Sequence, residues 1–544
     1  MKKISILSII ILAVQISFGQ TTILDNTNVS GSWTLANSPY IIEGRAIIPN
    51  GQTLTIDPGV EVRLRSSASP TVSWFDYGAG NVGVIRVQGE LIANGTSTDQ
   101  ILFTRDNTGF WGTILIDENA SSSSSFTNCI FEYSKESCNV TGITSVVTFD
   151  AGISIYRNTI TFDNNVLREN QRAGMLVREA STLFEFSNNE FYDNGANGLV
   201  ISESTANSIN NTFYNNSFST TGSVSAVRCS SSDVYLVGNL IYNNDDFGVF
   251  TTNNGNINIV NNTIFGNFQG VRVEGGANTS IANTIIQNND LNFAVSSPGG
   301  ATIEMEYSLT DENSLPSEIT DLGNNVLNED ALFTNSGGDD YSLLSNSPCI
   351  DNGNPFTTGL NIPNTDVLGN NRIDNTIVDI GATEFQQPVI NYTVTTASNP
   401  MIGGTTSGGG TFADGSNVSV SAVPNTNYNF VNWTENGAVV STSANYSFEI
   451  TSDINLVANF EFTLSVNENE VDENSIVIYP NPINDYLTIK SSSFLSVEVF
   501  DVYGKLVLST NESKIDLSSQ PSGIYILKVK SLNSVVTMKR VIKK

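Results

Sequence analysis

At 544 residues the chain is too long for one ordinary core, so several domains or an elongated repeat are expected. It carries 24 Lys/Arg against 54 Asp/Glu, a formal net charge of −30, and no histidine, which removes the commonest general base and the commonest zinc ligand. The 455 residues between 21 and 475 hold 13 of the basic and 49 of the acidic side chains, a body that repels nucleic acid and anionic lipid and excludes both as partners.

The chain opens with Met1-Lys2-Lys3, an apolar run from Ile4 to Val14, and small residues at Ser17 and Gly19. This pattern predicts a secretory signal peptide over 1–19, cut between Gly19 and Gln20. No later segment approaches the roughly 20 apolar residues of a membrane span, so no transmembrane segment is expected after signal removal. Residues 64–82, with Trp74, Phe75 and Tyr77, read as an inserted loop, a lid or a cap on the first turns of the structure. Export permits disulfides. Cys129 and Cys138 are close enough in sequence to form one, whereas Cys229 and Cys349 read as buried apolar side chains.

From Asn165 onward one phrase repeats: an Asn, one residue, an aliphatic or aromatic residue, and a second Asn five positions after the first. The first Asn falls at Asn165, Asn189, Asn211, Asn239, Asn262 and Asn283, and its companion at Asn170, Asn194, Asn216, Asn244, Asn267 and Asn288. A period in the low twenties with fixed internal spacing is the mark of a stacked solenoid. Between the phrases lie alternating runs such as Gly174-Met175-Leu176-Val177, Gly198-Leu199-Val200-Ile201, Gly248-Val249-Phe250-Thr251 and Gly270-Val271-Arg272-Val273. Alternation of this kind predicts strands with one buried face, stacked in parallel about 4.8 Å apart. No long segment shows a helical period. A turn inside each coil leaves backbone groups facing the interior, where an unpaired one costs about 1–3 kcal/mol. A stacked Asn ladder satisfies them, with the first Asn column the stronger candidate and the second equally readable as left-handed turn residues.

The stretch 21–388 resembles the right-handed parallel β-helix family shared by pectate lyases, alginate-modifying enzymes and many surface adhesins. The likeness extends to Gly51-Gln52-Thr53-Leu54-Thr55-Ile56-Asp57-Pro58-Gly59-Val60 at the start. At the end it includes Ser347-Pro348-Cys349-Ile350-Asp351-Asn352-Gly353 and Asp379-Ile380-Gly381-Ala382-Thr383-Glu384. Residues 391–461, with Ala413-Asp414-Gly415, Val418-Ser419-Val420-Ser421-Ala422 and Trp433, are similar to the B-repeats of bacterial surface proteins, with Trp433 in the core. An acidic linker follows over 467–475. Residues 476–544 carry Tyr479-Pro480-Asn481-Pro482, Asp501-Val502-Tyr503-Gly504-Lys505 and Gly523-Ile524-Tyr525-Ile526-Leu527-Lys528-Val529. They resemble the C-terminal sorting domain of type IX secretion substrates. The resemblance implies interaction with that secretion machinery and a product either released or attached to the outer cell surface. The expected fold class is all-β: a parallel β-helix solenoid followed by two small β domains.

Chemistry on such a solenoid is expected where side chains of successive coils form outward columns. Taking each Gly as zero, one column reads Ser154, Leu176, Val200, Arg228, Phe250 and Arg272, and the next Tyr156, Arg178, Ser202, Ser230, Thr252 and Glu274. Arg228 and Arg272, two coils apart with Phe250 between them, are candidates for holding an acidic sugar. Tyr156 beside Arg178 is a candidate base and acid for β-elimination. Scattered arginines in so acidic a body equally serve to neutralise neighbours. Asp245-Asp246 and Asn364-Thr365-Asp366 are reminiscent of polygalacturonase motifs, in reversed order and without the histidine motif. Asp339-Asp340 beside Gly337-Gly338 offers hard oxygen ligands of the kind calcium takes, without a spaced loop motif, and no other cofactor is expected. The first expectation is a non-catalytic module that binds extracellular glycan or mediates adhesion. The alternative is a polysaccharide lyase acting on acidic glycans.

Overall fold

The computed structural model describes residues 19–67, 82–135, 138–140, 147–217, 224–296, 300–463, 476–532 and 536–544. The signal segment up to Phe18, the three aromatic residues Trp74, Phe75 and Tyr77, and the acidic linker lie outside these residues. The chain forms two compact units, 1–388 and 389–544. Among the described residues no helix is long and apolar enough to cross a membrane.

The first unit is a stack of coils whose strands form three parallel sheets, the last coils giving none to the second sheet. Sheet A has 13 strands from Thr21–Ile23 to Val326–Leu327, sheet B has 11 from Thr27–Asn28 to Leu291–Val295, and sheet C has 12 from Gly31–Trp33 to Ile319–Gly323. Alternation in the sequence becomes alternation in burial: in Thr53–Ile56 the leucine and isoleucine are inside and the threonines line the outside. Like residues then stack on like within the core. Phe191 lies 4.6 Å from Phe213 with planes 10° apart, and Phe103 lies 5.1 Å from Phe131 at 7°.

Two amide ladders pin the corners. At the corner from sheet C to sheet A, Asn165 Nδ2 donates to Asn189 Oδ1 (3.1 Å), Asn189 Nδ2 to Asn211 Oδ1 (2.9 Å), and Asn239 Nδ2 to Asn262 Oδ1 (3.0 Å). Between them Asn211 uses its backbone N–H on Asn239 Oδ1 (2.9 Å). At the corner from A to B a second ladder joins Asn170, Asn194, Asn216, Asn244, Asn267 and Asn289 at 2.8–3.0 Å. Both columns therefore point inward. The left-handed residues are the ones just before them, such as Asn188 (φ 56°) and Asp193 (φ 52°).

Asn283 does not belong to the first ladder, nor Asn288 to the second. Both have left-handed backbones, at φ 52° and 57°. Thr284 occupies the ladder position, its Oγ1 accepting the Asn262 N–H at 3.2 Å, and Ser308 and Asn325 continue it. One residue of register was lost because this coil reads Asn283-Thr284 where its predecessor reads Asn261-Asn262, so a hydroxyl does the amide's work. Asn283 instead receives the closing segment: its Oδ1 accepts the Asn354 N–H and its backbone carbonyl the Gly381 N–H, both at 2.7 Å.

That closing segment follows the hairpin of Phe333–Asn335 and Asp340–Leu343 and runs back along the C-to-A corner. Asn210 Nδ2 donates to the Thr365 carbonyl (2.9 Å), Asn261 Nδ2 to that of Asp379 (2.8 Å), and the Ala382 N–H to Thr263 Oγ1 (3.0 Å). Arg372, 1% exposed, caps the Ala382 and Asn261 carbonyls at 3.0 and 3.2 Å. Gly238 is required here: its φ is +68°, and a Cβ would meet Asn210 Oδ1 at 2.2 Å and Arg372 Nη2 at 3.2 Å.

The expected bridge between Cys129 and Cys138 is not formed. Cys129 is a free, fully buried thiol whose Sγ lies 3.1 Å from the Ala93 carbonyl, inside the coil. Cys138 belongs to an antiparallel hairpin, Cys138–Val140 with Val147–Phe149, outside the three sheets. Alternation turned Cys129 inward, into the core of the coil.

In the second unit, residues 391–462 form a five-stranded and a three-stranded sheet around Trp433, which is fully buried and donates its Nε1–H to the Ala444 carbonyl at 3.2 Å. Residues 477–543 form a three-stranded and a four-stranded antiparallel sheet around Leu487, Ile489, Val497, Leu527 and Val529.

Candidate functional site

The long connections concentrate at one corner. The breaks after Glu61–Leu64, Cys129–Glu132 and Thr212–Tyr214 all lie between a strand of sheet A and the next strand of sheet B. Sheet B follows that corner, and its strands align residue for residue. One outward column runs Arg86, Leu115, Ser154, Leu176, Val200, Arg228, Phe250, Arg272 and Ala294. Beside it runs Tyr156, Arg178, Ser202, Ser230 and Thr252.

The first half of this face is closed. Leu115, Ala151, Tyr156, Ala173 and Leu176 form a buried apolar cluster with Phe149, whose ring meets Tyr156 edge-on at 5.4 Å. Tyr156 is 1% exposed, and its hydroxyl donates to Glu179 Oε2 at 3.3 Å. Burial, and then the charge of Glu179, push the phenol above its ordinary range. Arg178 lies one coil on but is committed to Glu179 Oε1 (3.4 Å) and Glu203 Oε1 (3.6 Å). Glu179 also accepts from Arg157 (2.8 Å), which reaches Glu118 at 3.0 Å. Burial opposes the charge of Glu179, but the hydrogen bonds of Arg157 and Arg178 outweigh it and hold its carboxyl low. A phenol that is sealed and harder to deprotonate is a poor base for proton abstraction. The pair is a charge network that fastens the corner.

The second half is open. The Arg228 guanidinium lies 5.3 Å from the Phe250 ring centroid, and that of Arg272 lies 5.8 Å from Phe250 and 4.8 Å from Phe247. Phe247 meets Phe250 edge-on at 5.3 Å. Phe250 is only 1% exposed, so it is no platform for a sugar ring; it holds two guanidinium groups in place. Arg272 is further fixed by Glu274 Oε2 (3.0 Å) and Gln269 Oε1 (3.4 Å). It borders a depression of about 380 Å³ lined also by Leu291, Phe293, Ala294, Pro316 and Glu318. Phe247, immediately before Gly248, and Glu274 were missed as positioning residues by sequence reasoning. The aromatic residue beside the repeat's glycine was the available signal.

Asp246 and Asp366, carboxylates of the two polygalacturonase-like motifs, lie at different corners of the coil. Asp246, at the A-to-B corner, is raised by burial against the Val224 N–H and Arg272. Asp366, 1% exposed, sits on the closing segment at the C-to-A corner, where it accepts from the backbone of Leu368, Asn370 and Glu384. Asp340 accepts the N–H and hydroxyl of Ser342 at 3.1 and 2.6 Å. Among the described residues no three His, Cys, Asp or Glu gather around a metal position.

Residues 79–218 and 176–347 match the model of the right handed beta helix region, residues 392–463 that of the divergent InlB B-repeat domain, and residues 477–544 that of the secretion system C-terminal sorting domain. Pectate lyase Pel9A aligns at 13% identity over 68% of this chain and 98% of its own, with a TM-score of 0.43. A double mutant of the periplasmic alginate epimerase AlgG aligns at 10% identity over 54% and 85%, with a TM-score of 0.31. Beta-agarase D of Zobellia galactanivorans is 33% identical over 115 residues, 21% of this chain; the match spans under a quarter (23%) of that relative. The chain is thus a right-handed parallel β-helix followed by a B-repeat domain and a sorting domain, exported through type IX secretion to the cell surface or the medium.

Proposed function

We propose that this exported β-helix protein holds an acidic glycan on the outer face of sheet B without turning it over. The observation that carries the reading is the pair Arg228 and Arg272, held about Phe250, with Arg272 bordering the depression by Leu291 and Phe293. Guanidinium groups held in this way attract a carboxylate by charge, with little side-chain freedom left to lose on binding, and a bound carboxylate would share Arg272 with Glu274. The sealed Tyr156 and the committed Arg178 support binding over β-elimination.

The test is affinity electrophoresis of the full exported chain in gels containing polygalacturonate or alginate, with ultraviolet absorbance of the same mixtures reporting unsaturated uronate. The expected result is retardation without new absorbance, weakened about tenfold or more in Arg228→Ala/Arg272→Ala, since each hydrogen bond to a charged group contributes roughly 1.5–3 kcal/mol. Unsaturated product that disappears in Tyr156→Phe or Arg178→Ala overturns this in favour of a lyase.

A further inference from the structure

The outer face of sheet C carries a second array that sheet B does not explain. Its strands Asp233–Val237, Asn256–Val260, Asn278–Ala282 and Thr302–Glu306 pair in strict register. The outermost column therefore reads Asp233, Asn256, Asn278 and Thr302, and the next reads Asn207, Tyr235, Asn258, Ser280 and Glu304. A third outward column, Val237, Val260 and Ala282, is buried at the corner where the closing segment docks. Apart from the buried Asn207, the first two columns stay accessible, and they enclose a depression of about 280 Å³ lined by Asn256, Asn258, Asn278, Ser280, Thr302 and Glu304.

The outermost column is chained in one direction. The Thr302 hydroxyl donates to Asn278 Oδ1 (2.8 Å), Asn278 Nδ2 to Asn256 Oδ1 (3.1 Å), and Asn256 Nδ2 to Asp233 Oδ1 (2.8 Å). A side-chain amide has two N–H donors and an oxygen with two lone pairs. The chain uses one donor and one lone pair of Asn256 and of Asn278, so these two adjacent coils each present one amide donor and one acceptor outward, about 4.8 Å apart. The chaining also holds each amide in a fixed orientation, which removes much of the ordering cost of a contact.

We infer that this face binds a neutral polysaccharide chain lying along the stack axis. A hydroxyl donates and accepts at once, so it complements an amide that offers one of each. The coil rise is close to the length of one extended pyranose unit, so two successive sugars meet the equivalent amides of Asn256 and Asn278. Four strands on this face span about 15 Å, room for some three sugars. Charge selects against the ligand of sheet B: Asp233 and Glu304 border the array, and no Lys or Arg is among the described residues that line it. A uronate is repelled where a neutral hydroxyl is not. Tyr235, half-buried between Asn207 and Asn258 in the second column, adds an aromatic ring beside the amides.

The experiment uses the full exported chain in native gels containing hydroxyethyl cellulose or galactomannan. Retardation by at least one of them is expected, weakened about thirtyfold in Asn256→Ala/Asn278→Ala, the loss of a net hydrogen bond of roughly 1 kcal/mol at each of two sites. Arg228→Ala/Arg272→Ala leaves this retardation unchanged, which separates it from the polygalacturonate reading. If the double alanine variant lowers the thermal midpoint, Asn258→Lys replaces it, because it crowds the face without breaking the chain. Absence of retardation in both polymers, or wild-type retardation in a folded variant, overturns the inference.

Discussion

Replacing Asn189 with Ala removes more than a surface amide. Its Nδ2 shares two hydrogens among the Phe162 carbonyl (3.1 Å), the Ser187 carbonyl (2.9 Å) and Asn211 Oδ1 (2.9 Å), and its Oδ1 accepts from the backbone N–H (2.9 Å) and Nδ2 (3.1 Å) of Asn165. After truncation the Ser187 carbonyl keeps the Asn164 N–H, and Asn165 Nδ2 keeps the Phe126 carbonyl. The Asn165 N–H and the Phe162 carbonyl lose the side chain that met them in a dry interior. Two such groups at about 1–3 kcal/mol each predict a loss of about 2–6 kcal/mol. A solenoid unfolds by neighbouring coils, so the loss is read best by amide hydrogen exchange. Protection should fall in strands Val166–Arg168 and Glu190–Tyr192 and persist in Thr53–Ile56. Thr284→Ser, which keeps the ladder hydroxyl, is expected to cost far less than Thr284→Val. A loss below about 1 kcal/mol in Asn189→Ala, or equal effects of the two Thr284 variants, refutes the ladder as a stabilising device.

Phe247→Ala frees Arg272 on one side, so it should weaken acidic-glycan retention severalfold while leaving the far-ultraviolet spectrum unchanged; retention equal to wild type would remove the clamp from the account. Burial pushes Asp379 up to about 6 and, with the charge of Asp379 adding to it, Glu384 up to about 8. Both values are raised over the unfolded ones, so their contribution is full below about pH 4 and is lost as pH rises toward 8. Thermal midpoints of the full chain should therefore fall between about pH 5 and pH 8.5, and Glu384→Gln should flatten the slope; a midpoint that rises over that range contradicts the assignment. Cys129, Cys229 and Cys349 are buried thiols pushed above their ordinary range, so alkylating reagents should leave them unmodified until denaturant is added.

The architecture was legible because a solenoid writes its period into the sequence. Asn189 and Asn211 recur since the same corner recurs, and Leu199 and Ile201 alternate since one face of each strand is inside. Column membership on sheet B followed from the same alternation, down to Arg228, Phe250 and Arg272. What alternation cannot report is what covers a column from outside. Tyr156 counts as outward in the repeat, yet Phe149 from an inserted hairpin seals it. Phe250 likewise counts as an outward ring and is hidden between two guanidinium groups. The one-residue slip at Asn283 has the same root, because a column's identity is fixed by hydrogen-bond geometry and Thr284 serves as well as Asn. The array on sheet C escaped notice since Asn, Ser and Thr outside a strand look like ordinary solvated surface until register aligns them.

The most direct test of the central claim is a calorimetric titration of the full exported chain with a purified galacturonate oligomer, followed by mass spectrometry of the recovered sugar. The account predicts saturable heat that weakens as salt rises, its loss in Arg228→Ala/Arg272→Ala, and an oligomer recovered with its mass unchanged. Heat that survives the double substitution, or an oligomer recovered as shorter unsaturated fragments, contradicts it.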